Sequence, residues 1–229
     1  MKVVIAGATG FIGQEALRQC IEHPSITSIV VLSRRQLIRP ETNPKVKVVV
    51  LDDFLEYGPS TLSEIQGASA CIWTLGKPYI PDIDEARRVS LDYTLAAARA
   101  FTEQQHAAAR DGREAKFRFI YMSGKAVQRD QTKSLWFLSE YRKIRGQVEQ
   151  KLLEHARENP GVFESYILRP GFVLKKEFNL VDVARSLAPS VRLEALGRVV
   201  VDVALNGCES DTLENKDIVE RSNAAVKNL

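Results

Sequence analysis

Six short apolar runs alternate with longer helical patterns along this chain, and that alternation leaves few folds open. KVVIAG (2–7), SIVVLS (28–33), VKVVVL (46–51), ASACIWT (68–74), FRFIYMS (117–123) and FESYILRP (163–170) are near-continuous apolar runs. Runs of this kind suit strands buried on both faces of a parallel sheet. Between them, GQEALRQCIEH (13–23), DEARRVSLDYTLAAARAFTEQQ (84–105) and SEYRKIRGQVEQKLLEHARE (139–158) carry helical spacing and good helix formers. Parallel strands need right-handed crossovers, so the expected architecture is α/β, a doubly wound parallel sheet.

No repeat or low-complexity linker divides the 229 residues, which suffice for one domain with its own core. ARDGREAK (109–116) is a polar excursion that predicts a surface loop before the fifth strand. Beyond LRPG (168–171), one amphipathic helix, VRLEALGRVVVDVALNG, stops at Asn206 and Gly207, and a polar tail, ERSNAAVKNL, follows. The expectation is a single domain over 1–229. Residues 172–229 contribute a small lid or substrate lobe over the carboxyl edge of the sheet, where α/β ligands bind.

Charge and cysteine content exclude several functions. Lys and Arg number 32 against 29 Asp and Glu, and the basic residues are scattered, so no footprint for nucleic acid is expected. Cys20, Cys71 and Cys208 are odd in number, far apart and without clustered histidines, which predicts buried or semi-buried thiols rather than disulfides or a metal site. The first strand begins at once in MKVVIAGATG, which leaves no room for a signal peptide, and ALGRVVVDVAL is too short to span a bilayer. The expected location is a reducing cytoplasm, with no membrane partner.

GATGFIG (7–13) follows the first strand and opens the first helix. Gly7 allows a tight turn, Gly10 lets backbone amides approach a pyrophosphate, and Gly13 lets the helix pack on the strand. Thr9, Phe11 and Ile12 complete the cofactor-facing set. An NAD-binding chain places an acid at the end of the second strand for the ribose 2′-hydroxyl; here Ser33-Arg34-Arg35 stands there. Two guanidiniums and a hydroxyl suit a 2′-phosphate, so NADP(H) is expected. After the third strand, Asp53 and Phe54 are candidates to cap and pack against the adenine, with Asp52 a competing acid.

The fifth strand ends at Ser123 and the next long helix carries Tyr141, so a hydroxyl and a phenol are placed to converge on one substrate oxygen. GATGFIG, WTLGKP, VSLDYT, YMSGKA, YRKIRGQVE and ILRPG stand in an order that resembles the atypical short-chain dehydrogenases/reductases. This is the extended Rossmann group that includes the NmrA-like proteins and the Tat-interacting-protein oxidoreductases, and the resemblance covers about residues 1–175. It implies Tyr141 as general acid/base and Ser123 as the donor that orients a substrate carbonyl or alcohol. It further places Thr74, Leu75 and Gly76 on the adenosine and ribose side, and Pro170 and Gly171 near the nicotinamide.

Arg145 falls on the position where the family has lysine. Arginine supplies a field that favours the phenolate, roughly 4 kcal/mol for a unit charge at ~4 Å and an effective dielectric of 20, but cannot relay a proton. Lys143 points to another helical face, and Lys125 is the other nearby cation. Trp73, Trp136 and Phe137 suit either a pocket wall or core. The alanine run at 96–98 suits either a homodimer helix or packing on the sheet, and His106 and His155 read as solvated surface.

Three functions fit. The first is an NADP(H)-dependent oxidoreductase acting on a small-molecule carbonyl or alcohol. The second is an NADP(H)-sensing regulator, and the third a non-redox isomerase, dehydratase or cyclase.

Overall fold

The computed structural model describes residues 1–36, 43–77, 79–112, 116–175 and 188–227. The six expected strands are β1 (Lys2–Ala6), β2 (Ser28–Ser33), β3 (Val46–Val50), β4 (Ala70–Trp73), β5 (Phe117–Met122) and β6 (Phe163–Arg169). Three short strands follow: β7 (Phe172–Leu174), β8 (Ser190–Arg192) and β9 (Thr212–Glu214). The main sheet runs β3-β2-β1-β4-β5-β6-β9 with every pairing parallel, and β7 pairs with β8 apart from it. Strand order reverses beside β1, between β2 and β4, and a sheet of this kind binds ligands at the crevice where that reversal falls.

The helices are α1 (Phe11–Glu22), α2 (Pro59–Ile65), α3 (Ile83–Arg87), α4 (Tyr93–Arg110), α5 (Ser139–Glu158), α6 (Leu193–Asn206) and α7 (Asn215–Lys227). Asp82 caps α3 by accepting from the Glu85 amide at 2.8 Å. A π-turn over Arg88–Asp92 joins α3 to α4, so the long helix expected from the sequence is present with one wide turn in it.

Alternation along β1 divides the core. Val3 and Ile5 face α1, α6 and Ile218 of α7, while Val4 and Ala6 face α2, α4 and α5. On the second face aromatic rings carry the packing. Phe101 stacks on Phe117 at 4.6 Å, Phe117 lies 6.0 Å from Phe163, and Trp73 lies 5.7 Å from Phe119. Each such ring, fully buried, contributes on the order of 1.5–3 kcal/mol. Burial also pushes the Cys20 thiol up to about 12 and the Cys71 thiol well above its usual value.

Three local expectations are corrected. Helix α6 does not roof the carboxyl edge: Leu196, Val199, Val200 and Val203 are buried against the sheet beside α1, because its apolar stripe is wide enough to cover that face. The polar tail is helical to Lys227, and Ile218 anchors that helix in the core. The β7–β8 pair is what leaves the end of β6, and residues 176–187 lie outside the described residues. His106 and His155 are not free surface groups. His155 Nε2 lies 2.7 Å from the Thr102 hydroxyl with its ring edge-on to Phe163, and His106 Nε2 lies 3.1 Å from Asn159 Oδ1, so both join α4 to α5. Ala97 and Ala98 of the alanine run are buried on the sheet.

Candidate functional site

The turn from β1 into α1 is built by close approach. Gly7 holds φ +86°, and a Cβ there would stand 2.6 Å from the Thr74 carbonyl carbon. A Cβ on Gly13 would stand 2.1 Å from the Gly7 carbonyl oxygen, so this glycine lets α1 close on the loop. Gly10 donates its amide to the Gly7 carbonyl at 2.9 Å and serves as N-cap without a side-chain acceptor, and no acid sits in the first turn of α1. The amino end of the helix therefore presents backbone donors and a positive partial charge to whatever lies before it.

A cleft of about 350 Å³ opens beside this turn, lined by Gly7, Ala8, Thr9, Ser33, Arg34, Arg35, Phe54 and Leu75 among others. Sequence-expected residues from four strand ends thus share one cavity. Arg34 and Arg35 are exposed, and no ion pair occupies either guanidinium among the described residues. Phe54 is fully buried between Trp73 and Tyr93 and forms floor rather than an open stacking face. Asp53 is engaged within the chain. Its Oδ1 accepts from the Leu55 amide at 3.1 Å and its Oδ2 from Arg88 at 2.5 Å, and these two contacts, the amide first, hold its pKa below the usual carboxylate value. Asp52 is exposed.

Thr74 ties the end of β4 to β1 by donating both its amide and its hydroxyl to the Ala6 carbonyl, each at 2.9 Å. Leu75 reaches the cleft, and Gly76, exposed at φ +144°, leads away from it. At the end of β6, the Pro170 carbonyl accepts from the Lys125 amide at 2.9 Å and Gly171 donates to Asn215 Oδ1 at 2.8 Å. A Cβ on Gly171 would lie 1.9 Å from the Pro189 carbonyl oxygen, so glycine is what lets the strand entering β8 approach. Phe11 is exposed at the front of the loop, while Ile12 packs against the core.

Helix α5 carries Tyr141, Arg145 and Glu149 at four-residue spacing, hence on one face. Tyr141 is buried and donates its hydroxyl to the Lys77 carbonyl, with Tyr79 edge-on to its ring at 5.8 Å. Arg145 donates Nη1 to the Tyr141 oxygen at 3.4 Å and Nη2 to the Met122 carbonyl at 2.7 Å, with its guanidinium 5.7 Å from the Tyr121 ring centre. Its Nε is buried without a hydrogen-bond partner. The arginine therefore stands where a cation can act on the phenol.

Ser123 is placed differently from the expectation. Its buried hydroxyl donates to Oε1 of Glu149, a carboxylate with no exposed surface. Arg129 holds the same carboxylate at 2.6 Å, and Arg169 donates to it through Nε at 3.0 Å and through Nη2. Arg169 goes on to Glu214 at 2.9 Å and Arg129 to the Thr212 hydroxyl at 2.9 Å, so the network reaches β9. Ser123 and Tyr141 thus flank one strand end, but each hydroxyl is donated to a different protein oxygen. Sequence reasoning missed Glu149, although its place eight residues after Tyr141 and four after Arg145 marks it.

The remaining candidates are scattered. Lys125 is exposed, Lys143 lends its carbonyl to Gln131 at 3.2 Å, and Trp73 is core. Trp136 and Phe137 stand out from the turn before α5, at 95% and 55% exposure. Among the described residues there is no His/Cys/Asp/Glu group able to hold a metal ion, and no helix long and apolar enough to cross a membrane.

The glycine turn, with backbone approaches that a Cβ on Gly7 or Gly13 would block, fits a phosphate-bearing ligand such as a dinucleotide. No family model matches the chain. It is 30% identical over 155 residues to leucinostatins biosynthesis cluster protein T of Purpureocillium lilacinum. The match takes in 67% of this chain but 52% of that protein, so the chain spans about half the length of this relative. Among solved structures, serine dehydrogenase from Escherichia coli superposes with a TM-score of 0.69 at 16% identity, over 93% of this chain and 96% of that one. A short-chain dehydrogenase/reductase family oxidoreductase from Burkholderia thailandensis gives 0.69 at 12% identity, over 98% and 97%. Gre2 from Candida albicans, solved in complex with NADPH, gives 0.66 at 15% identity, over 100% of this chain and 84% of that one.

Proposed function

From a chain with the Rossmann fold of the short-chain dehydrogenases/reductases, we propose an NADP(H)-dependent oxidoreductase acting on a small-molecule carbonyl or alcohol. The observation that carries this reading is the shared cleft, in which the glycine turn at Gly7–Thr9 faces Ser33, Arg34 and Arg35. Guanidiniums bind a terminal phosphate through charge-assisted, paired hydrogen bonds, and no acid stands at the end of β2 to favour a ribose hydroxyl instead. A nicotinamide held there would supply hydride to a carbonyl carbon or take it from an alcohol carbon.

The chain's own residues would move the proton. Tyr141 donates to the Lys77 carbonyl now, and a substrate carbonyl is the same kind of acceptor, so the phenol can pass its proton to substrate oxygen once that partner is exchanged. Arg145, at 3.4 Å from the phenol oxygen, stabilises the phenolate left behind. Solvent returns the proton, since arginine stays charged.

A thermal-shift titration with NADPH, NADP⁺, NADH and NAD⁺ tests the cofactor half. Ligand at a hundred times its dissociation constant stabilises by about 2.7 kcal/mol. A shift with the phosphorylated pair alone supports the reading, and none with any of the four overturns it. For the chemical half, Tyr141→Phe is expected to lose nearly all turnover on a carbonyl panel while still binding NADPH.

One observation favours a second reading, a protein that binds NADP(H) without turning over a substrate: both the Ser123 and the Tyr141 hydroxyls are already donated within the chain. Tight NADPH binding with no consumption across that panel would select it.

A further inference from the structure

We propose that Tyr79 selects the substrate, and that the substrate class is an apolar, aryl-bearing ketone rather than a small hydroxylated one; this rests on the oxidoreductase reading above. Tyr79 sets its ring edge-on to that of Tyr141, with 5.8 Å between centres and 81° between planes, and yet keeps 46% of its surface exposed. It lies between two fixed points. Two residues before it, the Lys77 carbonyl accepts the Tyr141 hydroxyl, and one residue after it Ile80 is fully buried.

Ile80 shares an apolar cluster with Ala86, Tyr141 and Ile144, apart from the two cores on the sheet, and Leu138 packs against it. The body of the phenol is therefore enclosed by apolar side chains, while its oxygen meets the Lys77 carbonyl and Arg145. A substrate carbonyl that replaces the Lys77 carbonyl takes over its hydrogen bond and brings its own substituents into this apolar surround. The exposed side of Tyr79 is the part of it still open to them. Ile83, at the start of α3, adds a second exposed apolar side chain to the same segment, and exposed apolar surface grouped in this way marks a ligand site. Contact between two aromatic rings is worth roughly two- to tenfold in affinity beyond the area it covers. A polyhydroxy ketone has the opposite balance, because its hydroxyls lose water against apolar side chains.

The experiment is NADPH consumption by the full chain on acetophenone, butanone and dihydroxyacetone, beside isothermal titration with NADPH. The unsubstituted protein is expected to favour acetophenone over butanone by about tenfold in kcat/KM, with dihydroxyacetone the poorest of the three. Tyr79→Ala is expected to lower kcat/KM for acetophenone by about tenfold, mostly through KM, and that for butanone much less. Its NADPH affinity checks that the fold is kept. Tyr79→Phe, which retains the ring, should retain most of the preference. A preference for dihydroxyacetone, or for none of the three, overturns the substrate class while the oxidoreductase reading stands. An acetophenone preference that survives Tyr79→Ala overturns the selecting role. So does an equal loss on every ketone, which would make the ring a support for Tyr141. If no NADPH is bound, or it is bound and none is consumed on any ketone, the oxidoreductase reading itself fails and the proposal falls with it.

Discussion

The two halves of the carboxyl edge are finished in opposite ways. Around β1 and β2 the groups that face the cleft are unspent: backbone shaped by glycine, a helix end without a side-chain cap, and two exposed arginines. Around β5 and α5 the hydroxyls and the buried carboxylate are already engaged within the chain. Tyr141 donates its hydroxyl hydrogen bond to the Lys77 carbonyl and Ser123 to Glu149, and Glu149 is clamped by two guanidiniums. The first half is ready to receive a ligand as it stands, whereas the second must exchange a partner before Tyr141 can serve a substrate. Preorganised binding and internally satisfied chemistry are thus separable in this fold.

The largest expected effect tests the satisfied half. Glu149→Gln leaves Arg129 and Arg169 without their carboxylate, and breaking a buried ion pair costs about 3–5 kcal/mol. At roughly 2–4 °C per kcal/mol for a chain of this size, the melting temperature should fall by about 6–20 °C. Ser123→Ala removes one hydroxyl and should cost about 1 kcal/mol. Equal melting points for the two variants would show that the carboxylate is not the centre of that network.

Next comes Gly13→Ala in the open half. The new methyl meets a backbone oxygen that cannot rotate away, an overpacking worth about 1–3 kcal/mol by thermal melt, and dinucleotide binding should go with it. Retained NADPH affinity would mean that the cradle is not the binding surface.

Arg34→Ala combined with Arg35→Ala should leave the melting point alone and raise the NADPH dissociation constant roughly tenfold to a hundredfold, sparing NADH. Affinity unchanged for NADPH would erase the distinction between a phosphate-selective and an unselective cleft.

The smallest effect lies at the far end of α5. Burial holds the His155 pKa below its ordinary value, outweighing the attraction of Glu158, with Arg99 and His106 adding to the depression. The unfolded chain therefore binds the proton more readily than the folded one. Stability should be complete above the unfolded pKa near 6.5 and decline as pH falls through it toward the folded value. His155→Gln should flatten that part of a melting-temperature profile, and an unaltered slope would remove this histidine from the pH response.

The sheet was legible because its strands are long apolar runs, and α5 spans the residues its periodicity marks, 139–158. The short strands β7, β8 and β9 were not, since three residues carry no usable period. Helix α7 escaped because its sequence is polar and its buried side mixes Ile218 with the polar Asn215 and Ser222, which leaves no apolar stripe to read. In the site, the glycine turn and the arginine pair could be read because both act through residues adjacent in sequence. The fate of the Ser123 proton could not, because it depends on Glu149, 26 residues away, and on arginines from two further segments. His155 and Thr102, 53 residues apart, were hidden for the same reason.

The two tryptophans divide the molecule spectroscopically. Trp73 is sealed in the aromatic core and Trp136 is 95% exposed on the turn leading to Tyr141. One indole should emit in the blue until the core opens, and the other in the red from the start. With Trp136→Phe the remaining emission becomes a clean unfolding signal. With Trp73→Phe, it reports contact at the turn before α5, so binding and unfolding can be followed in one chain without an added dye.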